Sequence, residues 1–296
     1  MVWWFKRVRP VNDRVSRSGY WGDVWRRFRA NRLAFISLVF VAILLVAAAL
    51  GPLIVPYGYD QLDYNYVRQG PSLAHWAGCD GLGRDIFTRV IYSLRTASAV
   101  ALGSVILNLL LGGVIGVLAG YRGGAPDNVL MRVTDVVLAF PSFLINVILV
   151  VVLGRGIGTI IIALALTGWA PMARLVRAQV ASLKHREFVQ AARSLGAADL
   201  HIVLRYIVPN AIPPLIVAVS FAIPNAMMIE SGLSVMGMGV RPPIPSWGSM
   251  ITDGIQYVRF SPHILALPAV SFALTLLAFT YTGDALQQAL DPREEE

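Results

Sequence analysis

Residues 33–55 read LAFISLVFVAILLVAAALGPLIV, twenty-three positions without a charge. A helix needs about 20 apolar residues to cross the hydrocarbon of a bilayer, so this run is long enough to span it once. Working outward, five more charge-free runs follow: Thr96–Tyr121, Val136–Gly154, Gly156–Ala173, Tyr206–Ile229 and Phe260–Gly283. The composition agrees, with 56% hydrophobic and 14% charged residues in 296, where soluble domains carry about 25% charged residues. A soluble globular protein is excluded, and the expected fold is an all-α polytopic membrane protein with six transmembrane helices. The fourth run is short and Gly-rich, and the fifth holds Pro209, Pro213, Pro214 and Pro224. Kinks are expected there, tolerated where neighbouring groups re-satisfy the freed backbone.

The net charge of +8 on a soluble chain would suggest a nucleic acid partner; on a membrane chain it sets orientation. Segments 1–32, 121–135, 174–206 and 284–296 together hold eighteen Lys and Arg, against seven in 56–95, 154–156 and 236–262. Both termini are therefore expected in the cytoplasm. A cleavable signal peptide fits poorly, because the basic lead is long and the first apolar run exceeds a signal's apolar region. Before that run, Trp21, Val24, Trp25 and Phe28 fall at helical spacing among Arg26, Arg27, Arg29 and Arg32. That pattern predicts an interfacial amphipathic helix with its aromatics at headgroup depth and its arginines toward anionic lipid. The expected organisation is a cytoplasmic segment 1–32, a first span 33–55, an extracytoplasmic segment 56–95, a core of five spans over 96–285, and a cytoplasmic tail 286–296.

Lys6 and Lys184 are the two lysines, preceded by Phe5 and Leu183, so the chain has no Gly-Lys-Ser/Thr phosphate loop. If ATP drives the activity, a separate subunit hydrolyses it. The single cysteine, Cys79, excludes an internal disulfide framework and a cysteine-based metal site. The cytoplasmic loop 180–206 carries the sharpest motif: Glu187-Phe188-Val189-Gln190-Ala191-Ala192-Arg193-Ser194-Leu195-Gly196-Ala197, then Tyr206-Ile207-Val208-Pro209. The first part predicts a short helix ending on Gly196, since glycine reaches the left-handed conformation without steric cost. A polar helix with small residues on one face, held between two spans, suits a partner's groove.

This loop resembles the EAA loop of ABC importer permeases, with Gln190-Ala191-Ala192 and Gly196 at the family's spacing and Gln190 in place of its glutamate. Other segments are similar to the dipeptide, oligopeptide and nickel importer group, in particular the C-type of its two permeases. They are His75-Trp76-Ala77-Gly78-Cys79-Asp80-Gly81-Leu82-Gly83-Arg84-Asp85, Gly120-Tyr121-Arg122-Gly123-Gly124, Met131-Arg132-Val133-Thr134-Asp135 with Phe140-Pro141-Ser142, Glu230-Ser231-Gly232-Leu233-Ser234, and Pro245-Ser246-Trp247-Gly248. The resemblance implies a type I ABC importer permease fold whose cytoplasmic helix couples to the ATPase through Glu187, Phe188, Gln190, Ala191, Ala192, Arg193, Gly196 and Ala197. It implies pathway or gate residues among Asp135, Phe140, Pro141, Pro224, Asn225 and Glu230, and binding-protein docking at Asp80, Arg84, Asp85 and Trp247. The implied partners are a second homologous permease, two ATP-binding subunits, an extracytoplasmic solute-binding protein, a peptide substrate and membrane lipid, without nucleic acid. No cofactor or metal is expected in this chain, ATP and Mg belonging to the ATPase subunits. The implied location is the plasma (inner) membrane of a prokaryote, and the chain itself is not an enzyme.

Several residues also carry plainer readings. His75, Asp80, Asp85 and Ser93 include hydrolase residue types, but their spacing orders no nucleophile, base and orienter; Asp80, Arg84, Asp85 and Arg89 are expected to pair within a structured loop. Asp135 and Glu230 lie near span edges, where ionisable groups are functional candidates, and Arg132 is the natural partner of Asp135 one turn away. His263 is expected to be a satisfied polar residue. Gly112, Gly116 and Gly120 form small-xxx-small spacings that serve packing either within the chain or against a second permease. Two rival functions stay open, a stand-alone proton-coupled transporter and, within the importer class, nickel or glutathione in place of peptide.

Overall fold

The computed structural model describes residues 19–290, which are helical or in short connections. The remainder of the expected segments 1–32 and 286–296 lies outside the described residues. Helix α1 (Tyr20–Ala30) meets α2 (Arg32–Ile54) at Asn31, whose side chain accepts from the Ala34 amide at 3.2 Å and caps the second helix. The apolar stripe of α1 divides in two. Val24 and Phe28 are buried with Ala34, Ala285 and Ala289, while Trp21 and Trp25 stay exposed. The expected lipid-facing stripe is thus corrected: half of it docks α1 onto the last helix, and two tryptophans remain for the headgroup zone.

Helix α3 (Ile86–Arg122) starts ten residues before the apolar run, because Asp85 caps it by accepting from the Thr88 amide at 2.7 Å. The expected third span, Val136–Gly154, is not one helix. It is α4 (Gly124–Ala139) followed by α5 (Ser142–Leu153), bent by 82° at the break. Pro141 disfavours helical backbone at the residue before it, and Phe140 is accordingly extended, with φ −98° and ψ 142°. Helix α6 (Ile157–Leu183) continues well past the run that ended at Ala173, since Arg174 and Arg177 end the apolar stretch without breaking the helix.

The short helices α7 (Glu187–Ser194) and α8 (Asp199–Ile202) lead through a π turn at Val203–Ile207 into α9 (Val208–Val235), which contains Pro213, Pro214 and Pro224. Helix α10 (Trp247–Ile255) is closed by a capping box between Ser246 and Ser249, and α11 (His263–Leu290) ends the described chain. Among the described residues five helices are long and apolar enough to cross a membrane, and six spans result when the bent pair counts as one.

The main core joins α2, α3, α6, α9, α10 and α11 through Val100, Ile160, Leu164, Met227, Leu233, Trp247 and Phe279. Its most extensive seam lies between α3 and α6. A Cβ at Gly112 would stand 2.7 Å from the Trp169 carbonyl, one at Gly116 2.6 Å from that of Ala173, and one at Gly120 2.7 Å from that of Arg177. The small-xxx-small spacing therefore serves packing within the chain, backbone against backbone.

Gly116→Val should cost about 1–3 kcal/mol by overpacking and lower the thermal unfolding midpoint of the solubilised protein. Gly113→Val, whose Cβ meets nothing within 4 Å, should leave that midpoint in place. Equal effects from the two substitutions would contradict the seam.

Candidate functional site

Helix α7 is built by its ends. Glu187 lies in its first turn, where the helix dipole favours a negative charge. Gly196 takes φ +80°, and the Ala197 amide bonds back to the Ala192 carbonyl at 3.1 Å with the Gly196 amide to Arg193 at 3.0 Å. This tight C-terminal closure depends on a left-handed residue. Val189 and Ala192 face inward, into an apolar cluster with Val176 and Val180 of α6, Ile202 of α8, and Val203 and Ile207 of the π turn. The other face, carrying Glu187, Phe188, Gln190, Ala191 and Arg193, is exposed, and Ala197 follows half-buried. Leu195 is 89% exposed, with Leu200 and Leu204 also bare. The outcome is a short helix fixed to the ends of two spans on one side and open to a partner on the other.

Hydrogen bonds and ion pairs bind this end of the helices together. The Tyr121 hydroxyl at the end of α3 donates to Asp199 of α8 and accepts from Arg193 Nη2 of α7 at 3.4 Å. Lys184 Nζ donates to the Gly120 carbonyl at 3.0 Å. Arg177 of α6 grips Asp127 of α4 with two bonds, Nε to Oδ1 at 3.0 Å and Nη2 to Oδ2, the fork geometry that gives guanidinium–carboxylate pairs their directional strength. One turn along, Arg174 Nη2 donates to Asp135 at 2.8 Å, whereas Arg132 Nη1 lies 3.9 Å away. Asp135 thus keeps the expected ion pair with Arg132 on its own helix and gains a closer one from Arg174 of α6.

The remaining pathway candidates separate. Phe140 and Pro141 are exposed at the break between α4 and α5, and Asn225 is exposed on α9. Pro224 is buried, and Glu230 is 0% exposed, accepting from Ser234 Oγ at 2.9 Å and Ser231 Oγ at 3.4 Å. Glu230 is enclosed within its own subunit by these contacts.

The docking candidates are also corrected. Asp80 and Asp85 are each 5% exposed and Trp247 is 1% exposed. Asp80 accepts from the Leu82 and Arg84 amides and from Arg84 Nε at 2.7 Å, with Arg89 Nε 3.6 Å away. Asp85 lies 2.9 Å from His75 Nδ1, and Trp247 Nε1 donates to Ser271 at 3.0 Å. These side chains fold the outer segment and present little to solvent; its bare apolar residues are Tyr64, Leu73, Trp76 and Leu82. Ser93 bonds Met250 Sδ and not the imidazole of His75, so no hydrolase arrangement forms. His263 departs from expectation, since its buried Nε2 has no partner. Among the described residues no group of three His, Cys, Asp or Glu converges as metal ligands would.

Sequence reasoning confined to charged groups missed Asn108, Asn146 and Thr167, neutral polar residues inside apolar runs that the fold brings toward one another. Thr167 Oγ1 donates to Asn146 Oδ1 at 3.1 Å. It also missed Asp127, whose partner stands fifty residues away in sequence.

Residues 112–296 match the family described as the binding-protein-dependent transport system inner membrane component, and residues 19–71 match the N-terminal transmembrane domain of oligopeptide transport permease C. The oligopeptide transport system permease OppC of Bacillus subtilis is 39% identical over 95% of this chain and 93% of its own length. The dipeptide permease DppC of the same organism is 39% identical over 98% and 92%. The glutathione transport permease GsiD of Pectobacterium atrosepticum is 36% identical over 96% and 94%. Among solved structures, the methionine ABC transporter MetNI in inward-facing conformations superposes with a TM-score of 0.55 at 18% identity, over 69% of this chain and 96% of that one.

In the outer segment, burial pushes the Cys79 thiol up to about 12, with Asp85 and Asp80 adding to the effect. N-ethylmaleimide at pH 7.5 should leave the folded protein unlabelled and react once it is denatured, because the thiolate is the nucleophile. The folded state favours the protonated thiol, so its contribution to stability is complete below the unfolded value of about 8.5 and falls as pH rises toward 12. Labelling of the native protein at pH 7.5 would contradict this placement.

Proposed function

The chain belongs to the family of binding-protein-dependent transport system inner membrane components and is a multi-pass permease of an ABC importer, and from that premise we propose that it carries peptides into a prokaryotic cell. It works beside a second homologous permease, in the plasma membrane, with both termini in the cytoplasm. Two separate subunits bind and hydrolyse ATP with Mg, and a solute-binding protein on the outer side delivers the cargo; the permease itself makes and breaks no covalent bond. Support for the substrate comes from the oligopeptide and dipeptide relatives. The glutathione relatives keep a small peptide-like substrate as a second reading.

The observation that carries the proposal is the two-sided build of α7. Its outer face, with Phe188, Gln190, Ala191 and Leu195, occupies a groove of an ATPase subunit, while Val189 and Ala192 hold it to α6 and to the start of α9. Closure of the ATPase pair on ATP displaces α7, and α6 and α9 move with it. Arg174 and Arg177 pass the motion to α4 through Asp135 and Asp127. The break at Phe140–Pro141 then lets α5 change its angle to α4. Lipid offers no hydrogen-bond partner to interrupted backbone, so the exposed break faces the sister permease or an aqueous pathway. ATP acts by favouring one of two arrangements, the only way a ligand shifts such an equilibrium.

Gly196→Val tests the coupling. A β-branched residue forced to φ +80° strains α7 by about 1–2 kcal/mol, enough to shift its closure by roughly 5–30-fold. Peptide uptake into proteoliposomes should fall by a comparable factor while membrane insertion and subunit association persist. Unchanged uptake would remove α7 from the coupling route.

A further inference from the structure

A cavity of about 270 Å³ lies among α3, α5, α6 and α9, beside the start of α5 at the helix break. Ser104, Asn108, Ser142, Thr167 and Asn225 supply its polar wall, and no Asp, Glu, Lys, Arg or His lines it. Two buried atoms at this level have no partner: Asn108 Oδ1, an acceptor, and Asn146 Nδ2, a donor. Asn146 is completely buried behind Thr167, whose single hydroxyl proton is shared among Asn146 Oδ1 and the Ala163 and Leu164 carbonyls, and the Asn146 amide nitrogen has no partner. Asn108 Oδ1 has no hydrogen-bond partner among the described residues. Room for its carboxamide exists because residue 168 is glycine: a Cβ there would stand 2.8 Å from Asn108 Cγ.

Leaving a buried donor or acceptor unmade costs the full desolvation of that group, and hydrocarbon supplies nothing to make it good. Four helices have nevertheless assembled carboxamides and hydroxyls around one space. An ionic ligand would find no counter-charge there, so a charged peptide terminus is a poor occupant. A neutral amide fits, since a peptide unit offers one N–H and one C=O, and a carboxamide such as that of Asn108 answers both.

We propose that this cavity is a transit subsite for an interior peptide bond of the cargo, with Asn108 pairing to the amide, Ser104, Ser142, Thr167 and Asn225 completing the polar wall, and Asn146 positioning Thr167 from behind. The inference rests on peptide import and adds which part of the peptide this subunit reads: the backbone, independent of side chains and termini.

The test uses the complete complex in proteoliposomes, with the sister permease, the ATPase subunits and binding protein preloaded with one of two cargoes. One is a tetrapeptide, and the other is the same tetrapeptide N-methylated at one interior amide. The ratio of the two uptake rates is compared between wild type, Asn108→Leu, Thr167→Val and Thr167→Ser. The binding protein is common to all, so a change in the ratio belongs to the permease, and reduced yield of a variant cancels from it. Wild type should import the unmethylated peptide faster. Asn108→Leu should erase about fivefold of that preference, the size of one neutral hydrogen bond. Thr167→Val should erase part of it, and Thr167→Ser should retain it. An unchanged ratio in Asn108→Leu and Thr167→Val, with uptake continuing, would make the cavity a water-filled packing feature and overturn the subsite while peptide import stands. No uptake of either cargo by wild type would overturn peptide import and the subsite with it.

Discussion

Three glycines spaced four apart let α3 and α6 lie with backbone against backbone, and the rest of the molecule is arranged around that pair. In a bilayer the hydrophobic effect does not draw helices together, because lipid tails are as apolar as the side chains; close packing has to do it instead. Gly112, Gly116 and Gly120 place successive turns of α3 on the carbonyls of Trp169, Ala173 and Arg177. Held this closely over Trp169–Arg177, α6 acts as a shaft, with Pro171 inside the packed stretch. Its middle lines the polar cavity through Thr167 and Gly168, and its C-terminal end carries the apolar cluster that receives α7.

Charge follows the same axis. The arginines that α6 carries beyond its apolar part do not break the helix; they turn to α4, where Asp127 and Asp135 accept them. The broken span is tied to α6 on both sides of its break, through Asp127 and Asp135 of α4 and Asn146 of α5, and the break is formed by the Phe140–Pro141 pair, where the proline disfavours helical backbone at the residue before it. Buried groups elsewhere do quieter work. Asp80, Asp85, His75 and Arg84 satisfy one another and fix the outer segment over the start of α3. At the half-exposed Asp253 of α10, partial desolvation raises the affinity of the carboxyl for its proton, opposed by Arg84 and Arg89 nearby.

Much of this was legible in the sequence because bilayers impose length and charge rules on every span. The six apolar runs and the loop ending in Gly196 follow from those rules and from backbone sterics. Other features were hidden for physical reasons. Hydropathy averages across Phe140–Pro141, both apolar or neutral, so a bent pair looks like one run. Helix ends follow caps such as Asp85 rather than charge boundaries, which moved the start of α3 outward. Spacing pairs Asp80 with Arg84 as observed, but it cannot tell a buried carboxylate from an exposed one, and it misses that Asp85 turns to His75 and not to an arginine. Nor can local spacing find a partner on another helix: Arg132 is nearest to Asp135 in sequence, yet Arg174 is nearest in space. Asn108, Asn146 and Thr167 become a group only when three helices meet.

The central claim is that α7 and α6 move as one body, and a distance between them tests it directly. Spin labels at Leu166 on α6 and Gln190 on α7, both exposed in this subunit, can be measured by double electron–electron resonance in the assembled transporter, without nucleotide and with ATP trapped. The account predicts one distance distribution, unchanged in its centre and width, while a label pair between Gln190 and an exposed position on α1, such as Arg27, shifts. A shift in the Leu166–Gln190 distance on ATP binding would contradict it, because α7 would then be sliding on α6 instead of carrying it.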